Sequence, residues 1–141
     1  MAQGDFRVAV LGCSGIGRLI STVVRHAVYL IEKERPEDVI VVSSGELTGD
    51  VPEALAVARK YPLVVIDGCR PHCATALAEG KGLRLAAKVY AGDVVAKHKL
   101  SLAGEKREEL GEKGMACARA IAEEALAQID AVLADEIVST L

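Results

Sequence analysis

The sequence predicts a single-domain three-layer α/β/α sandwich over residues 1–141, with a mostly parallel, flavodoxin-like or Rossmann-like sheet of about four strands. A length of 141 residues and a mass of 14.8 kDa suit one compact domain. Hydrophobic residues make up 51% of the chain but aromatic residues only 3%, which favours an α/β fold over an aromatic-rich β-sandwich. Buried runs alternate with amphipathic segments, the pattern of parallel strands joined by right-handed helical crossovers.

The first half of the chain alternates two apolar runs with two segments of helical periodicity. Short β-branched runs predict strands, and apolar positions spaced three and four residues apart predict a helix that packs against a sheet. A proline at the start of the second helix suits a first helical turn. The predicted elements are a strand over residues 6–11, a glycine-rich turn over 12–17, a helix from 18 to before Pro36, a strand over 39–42, a loop at 43–45 and a helix over 52–60.

The second half of the chain continues the alternation and then becomes polar. Its predicted elements are a strand over residues 63–66, a helix from Pro71 to about residue 79, a strand over 83–90, a short helix near 105–110, a long helix from 115 to about 134 and a frayed end at 135–141. The segment 92–114 is rich in Lys and Glu. We expect that segment to be mobile or to act partly as a lid.

Composition excludes several classes of partner. Seventeen basic and twenty acidic residues give a net charge of −3, without the basic excess that a nucleic-acid partner requires. No apolar run is long enough to span a membrane, and the start of the chain, with Gln3, Gly4 and Asp5, does not resemble an export signal. We therefore expect a cytoplasmic protein whose four cysteines serve thiol or metal chemistry and not a disulfide framework.

Cysteines follow two of the predicted strands directly. Cys13 comes after the first strand and Cys69 after the third, and the strand order 2-1-3-4 would bring both to one crevice at the carboxyl edge of the sheet. With Pro71 starting a helix, Cys73 falls in the first helical turn, close to Cys69. A helix N-terminus favours thiolate over thiol, and thiolates are zinc ligands. The residues predict a metal site that contains Cys13, Cys69 and Cys73.

The fourth ligand of such a site stays open. Cys117 is one candidate if Gly114 opens the last helix, because Cys117 would then lie in its first turn near the crevice. Cys117 also lies on the apolar stripe of that helix, where a cysteine is often a small core residue. His72 and His98 are further candidates, although we expect both to be solvent-exposed, and His26 is expected to be structural. A bound water would leave the site open for catalysis.

Asp67 ends the third strand, directly before a glycine. Such a carboxylate could act as a general base or could orient a metal ligand. The interpretation we favour is that Asp67 accepts backbone N–H groups and fixes the turn.

The motif Asp67-Gly68-Cys69, with Cys73 four residues on and Cys13-Ser14-Gly15 after the first strand, resembles the DGC domain family. The similarity extends over most of the chain. The family takes its name from the Asp-Gly-Cys motif and is described by four cysteines suited to chelate zinc, with no established activity. The resemblance implies zinc binding by Cys13, Cys69 and Cys73. A further family cysteine is expected after the second strand, where this chain has Ser43-Ser44-Gly45. His98 also resembles a Lys-His element of the family.

Other functions compete with a zinc protein of unknown activity. A cysteine-dependent redox or sensor protein could use Cys69 and Cys73, or Cys13 and Cys69, as an exchangeable disulfide. Cys13 and Arg18 resemble the anion loop of low-molecular-weight tyrosine phosphatases, but the loop here is one residue shorter. Glycines at 12, 15 and 17 stand in the wrong order for a dinucleotide-binding loop. Whether the protein is an enzyme, whether it holds zinc or an iron–sulfur cluster, which protein partner it has and whether it forms a homo-oligomer stay open.

Overall fold

A computed structural model describes residues 5–13 and 15–141 and contains one four-stranded parallel sheet. Ser14 of the Cys13-Ser14-Gly15 motif and the first four residues, which include Gln3 and Gly4, lie outside the described residues. The strands are β1 (Val8–Gly12), β2 (Val39–Val42), β3 (Leu63–Asp67) and β4 (Leu85–Tyr90). Their order in the sheet is β2-β1-β3-β4, so both the α/β fold class and the predicted strand order are confirmed.

Helices cover both faces of the sheet. They are α1 (Leu19–Glu34), α2 (Ser44–Thr48), α3 (Pro52–Lys60), α4 (Cys73–Gly80), α5 (Ala91–Lys97) and α6 (Glu112–Val138). Helix α6 contacts both α1 and α5 on one face, whereas α2 contacts both α3 and α4 on the other. The chain reverses its direction across the sheet after β2, as right-handed crossovers require for this strand order.

The register of the two central strands aligns their carboxyl ends. Leu11 pairs with Val65 and Gly12 pairs with Ile66. The backbone N–H of Cys13 donates to the carbonyl oxygen of Ile66 at 2.9 Å, so the pairing continues one residue beyond β1. The residues that follow β1 and β3 therefore leave the sheet side by side.

Two predicted helix starts are wrong. The helix after β3 begins at Cys73 and not at Pro71, because His72 between them has a left-handed backbone, φ 52°, that interrupts the helix. The last helix begins at Glu112, before Gly114, and it continues to Val138 instead of ending near residue 134.

The polar segment 92–114 differs most from its prediction. A helix, α5, follows β4 directly, and the predicted helix near 105–110 is wrong because an antiparallel bridge joins Lys106 to Glu109 there. The Thr22 hydroxyl donates to the carbonyl oxygen of Arg107 at 2.8 Å, and the Arg107 guanidinium donates to the carbonyl oxygen of Gly17 at 3.0 Å. These bonds hold the segment against the start of α1.

Helix α1 approaches the carboxyl ends of β1 and β3 closely because each end has a glycine. Gly12 is the last residue of β1, and Gly68 directly follows β3. A Cβ atom added at Gly12 would lie 2.7 Å from Val28 Cγ2 and 3.2 Å from Val24 Cγ1. A Cβ atom added at Gly68 would lie 3.3 Å from Val24 Cγ2 and 3.4 Å from Ile20 Cγ2. One side chain of α1, Val24, thus packs against both glycines.

We expect Gly12→Ala to lower the free energy of unfolding by about 1–3 kcal/mol, because a buried and stiff valine must move to admit the methyl group. Gly17→Ala is the matched control, since a Cβ atom there meets nothing within 4 Å. Urea denaturation of both variants measures the difference. Equal stability of Gly12→Ala and the unmodified protein would show that α1 can shift without cost.

Candidate functional site

Three of the four cysteines line one cleft at the carboxyl edge of the sheet. Cys13 follows β1, Cys69 follows β3, and Cys73 is the first residue of α4. The cleft has a volume of about 390 Å³, and we call it the cysteine cleft. Its other walls come from the starts of α1, α2 and α4, including Arg18, Ser21, Ser44 and Ala74. The predicted convergence of Cys13, Cys69 and Cys73 is confirmed.

Burial of the three thiols increases from the rim of the cleft to its floor. Cys13 is buried at 9% exposure, Cys69 is half-buried and Cys73 is exposed. The Cys13 Sγ atom lies 3.6 Å from the Oγ atom of Ser21, a buried residue of α1. Cys13 is thereby held from two sides, by this contact and by its backbone bond to β3. Cys73 has the solvent access that an incoming ion or reagent needs.

Asp67 fixes the position of α4 and so of Cys73. Its buried carboxylate accepts the backbone N–H of Thr75 at 3.1 Å and also the hydroxyl of Thr75. Its second oxygen lies 3.3 Å from Nδ1 of His72, whose ring packs on the ring of Tyr90 at 4.6 Å between centroids. The carboxylate satisfies a backbone N–H group in the first turn of α4, which is the role of a helix cap. The interpretation of Asp67 as a turn-fixing acceptor is confirmed.

Cys13 and Cys73 are close enough to Cys69 to affect the ionisation of its thiol. Burial raises the pKa of Cys69, and the neighbouring Cys13 and Cys73 raise it further. Arg18 acts in the opposite direction and lowers the Cys69 pKa. Without a bound cation, the proton therefore stays on Cys69 at neutral pH.

The described residues that line the cysteine cleft carry positive and no negative side-chain charge. In the part of the chain that the structure describes, Arg18 is the only charged residue in its lining. Arg18 directly precedes the first residue of α1, and helices α1 and α4 both begin at the cleft. Their N-terminal dipoles add to the positive potential that favours anions and thiolates.

Cys117 does not line the cysteine cleft. It lies in the second turn of α6, where burial raises the pKa of its thiol and Glu105 raises it further. Its side chain has no solvent exposure and belongs to the hydrophobic core. The expectation of a first-turn position is wrong because α6 begins before Gly114.

The three histidines are also outside the cleft lining. His72 is adjacent to Cys73 but contacts Asp67 and Tyr90, with its side chain 45% exposed. His98 is exposed at the end of α5. His26 is half-buried in α1, where its ring meets that of Tyr29.

Within the described residues, no three side chains of His, Cys, Asp or Glu are already arranged as a metal-binding group. The three thiols of the cleft would have to close around an ion.

The described residues contain no helix whose length and hydropathy would let it span a membrane.

Sequence reasoning missed two polar residues of this site. Ser21 contacts Cys13, and Thr75 donates to Asp67. Ser21 and Thr75 each lie within a helix, where a single serine or threonine forms no sequence motif that would indicate its role. Ser44 lines the cleft from α2, a helix of five residues that we had expected to be a loop. A signal for α2 was present, because Ser43 accepts the N–H of Glu46 and the Ser-x-x-Glu spacing is typical of a helix start.

Comparison with known families identifies the family to which the chain belongs. The family model of the DGC domain matches residues 9–113. The matched span contains Cys13, the Asp67-Gly68-Cys69 motif and Cys73, and it ends before Cys117. The chain therefore belongs to the DGC domain family, which confirms the resemblance seen in its sequence. Comparisons with curated proteins and with solved structures gave no match.

We expect Thr75→Val to lower the free energy of unfolding by about 1–3 kcal/mol, because it keeps the side-chain shape but removes a hydroxyl from a buried carboxylate. Thr140→Val is the control, since that hydroxyl bonds a carbonyl at the exposed end of the chain. Chemical denaturation of both variants gives the comparison. If the two variants lose equal stability, Asp67 does not hold α4 through this hydroxyl.

Proposed function

We propose that this member of the DGC domain family binds zinc through the thiolates of Cys13, Cys69 and Cys73. The observation that supports the proposal is the convergence of these three cysteines on one cleft. They come from two strand ends and one helix start, so the fold and not local sequence brings them together. Cysteine thiolate is a preferred zinc ligand, with zinc–sulfur distances of about 2.3 Å.

The surroundings of the cleft suit a thiolate site. Three thiolates around a divalent cation carry a net negative charge, which Arg18 and the N-termini of α1 and α4 offset. Because the pKa of Cys69 is raised, this thiol would give up its proton on binding zinc, and zinc binding would therefore strengthen as the pH rises. Cys73 can turn inward from its exposed position to complete the set.

The fourth ligand in this proposal is water. Cys117 is enclosed in the core, and His72 contacts Asp67 and Tyr90 instead of the cleft. Zinc with three protein ligands and an open position polarises a bound water or another exchangeable ligand. In this chain, Asp67 and Thr75 hold α4 in place, and Ser21 positions Cys13.

The four free cysteines suit a reducing compartment, and we propose the cytoplasm as the location.

A second candidate function is dithiol redox chemistry at Cys69 and Cys73. Cys73 is close enough to Cys69 to contribute to the raised pKa of the Cys69 thiol. Their separation by three residues, with Cys73 at a helix start, allows the thiols to approach each other. A metal-free form that cycles between dithiol and disulfide would use the same cleft.

We expect the reduced protein, purified without an affinity metal, to contain about one zinc per chain, as a single site of this type would hold. Alanine variants of Cys13, Cys69 and Cys73 should each lose the zinc, whereas Cys117→Ala should retain it because its thiol lies in the core. Elemental analysis of the four variants and thiol counts before and after chelation provide the measurement.

Two results would contradict the zinc proposal. Unchanged zinc content in Cys69→Ala and Cys73→Ala would place the metal elsewhere. A metal-free protein in which mild oxidation links Cys69 to Cys73, identified by peptide mass spectrometry, would establish the redox function instead. If the same analysis finds iron with bound sulfide, the bound group is an iron–sulfur cluster and not zinc.

We also expect Ser44→Cys to increase zinc affinity, because residue 44 lines the same cleft as the three cysteines and a fourth thiolate replaces water. With Co²⁺ as a probe, the sulfur-to-metal charge-transfer absorbance per metal should rise in proportion to the added thiolate. Ser43→Cys is the matched control, since residue 43 does not line this cleft. An unchanged Co²⁺ spectrum in Ser44→Cys would show that the open position does not face α2.

A further inference from the structure

A second cleft adjoins the cysteine cleft on the side of β2. It has a volume of about 410 Å³, within the range of roughly 300–1,000 Å³ that is typical of small-molecule sites. Its lining includes Cys13 and Ser44, which also line the cysteine cleft. We call it the apolar cleft, and neither the family match nor the proposed zinc site assigns it a role.

Exposed apolar side chains gather around this cleft. Ile16, Tyr29 and Val41 are 86%, 54% and 37% exposed, and all three line it. The other large apolar side chains that are exposed in the described residues belong to the C-terminal end of the chain: Ile137, Val138 and Leu141. Grouped exposed apolar side chains are typical of a binding surface, whereas single ones are common anywhere on a protein.

The floor of the apolar cleft is made of buried, closely packed side chains. Val28 of α1 and Val42 of β2 are both 5% exposed and line the cleft. Val28 packs on Gly12, where a Cβ atom would lie 2.7 Å from Val28 Cγ2. The depth of the cleft is therefore set by the packing of α1 on β1.

Arg25 is the one charged side chain among the described residues that line the apolar cleft. Arg25 makes no hydrogen bond or ion pair with any described residue, in contrast to Arg35, which pairs with two carboxylates. Among the described residues that line the cleft, no aspartate or glutamate is present, although the chain as a whole has a net charge of −3. A half-buried cation beside an apolar wall is complementary to an amphipathic anion.

We propose that the apolar cleft binds a small monocarboxylic acid with an aromatic or branched apolar body. The carboxylate pairs with the guanidinium of Arg25, which presents a planar set of donors that match a carboxylate. The apolar body covers Ile16, Tyr29 and Val28 and removes them from water. The proposed ligand contacts are separate from the proposed zinc ligands, because Arg25, Ile16, Val28 and Tyr29 do not line the cysteine cleft, and the zinc ligand that the two clefts share is Cys13.

The test is a titration of isotope-labelled, reduced protein with benzoate, followed by NMR, in zinc-free and zinc-loaded samples. Benzyl alcohol serves as the neutral probe of similar shape. We expect benzoate to shift the methyl signals of Val28, Val41 and Val42 and to bind at least about tenfold more tightly than benzyl alcohol. Arg25→Gln should weaken benzoate binding by about tenfold or more and leave benzyl alcohol binding unchanged.

Two further variants keep the test decisive. Arg59→Gln is the matched control, because Arg59 is an exposed arginine of α3 outside the cleft, and it should bind benzoate as the unmodified protein does. Val41→Glu places a negative charge at the edge of the cleft and should abolish benzoate binding even if Arg25→Gln does not fold.

Several outcomes would overturn the proposal. Benzoate shifts confined to other surfaces, or equal affinity of Arg25→Gln and Arg59→Gln, would exclude Arg25 as the anion partner. Shifts of the cleft signals that depend on protein concentration alone would show that a second copy of the chain covers this surface. Benzoate binding in a sample that holds no zinc would support the proposal even if the zinc function fails.

Discussion

The close contact between α1 and the carboxyl ends of β1 and β3 determines the geometry of the whole site. Gly12 and Gly68 each precede a cysteine of the cleft, and the space where their Cβ atoms would lie is taken by α1, with Val24 against both. A bulkier residue at either position would push α1 outward. Cys13 would then lose its contact with Ser21, and the floor of the apolar cleft at Val28 would move with the helix. The Gly-Cys pairs therefore combine a packing requirement with the placement of the thiols.

The distribution of charge is the second constraint on this edge of the sheet. Acidic residues outnumber basic ones in the chain, yet the described linings of both clefts contain arginine and no carboxylate. Asp67 is near, but its oxygens are used by Thr75 and His72 and it does not line either cleft. A carboxylate facing the thiols would oppose their ionisation, whereas Arg18 supports it for Cys69. The potential at the edge thus suits thiolates and anionic ligands, which a net charge alone would not predict.

Most of the sheet could be predicted because its two central strands, β1 and β3, are buried along their whole length. The runs at 39–42 and 63–66 are apolar throughout and mostly β-branched, so strand type follows from composition. The predicted order 2-1-3-4 comes from likeness to flavodoxin-like sheets with right-handed crossovers, and the sheet has that order. The meeting of Cys13 and Cys69 is a consequence of that order. The position of Asp67 could be predicted as well, since an aspartate between a strand and a glycine has backbone N–H groups within reach.

The remaining features depend on tertiary contacts that a single sequence does not encode locally. Residues 105–110 have helix-favouring composition, but the Glu105 carboxylate accepts the N–H of Gly111, and Arg107 bonds Thr22 and Gly17 of a distant segment. Those bonds compete with helical ones and prevail. The position of Cys117 is a second example. The apolar stripe of α6, on which Cys117 lies, is compatible with a helix start at either Glu112 or Gly114. Only the packing of α6 decides which helical turn Cys117 occupies. Helix periodicity determines on which face of a helix a residue lies. The distance of that residue from the edge of the sheet depends on where the helix begins. For a cysteine, this distance decides whether the thiol can be a metal ligand at the edge or is a residue of the core.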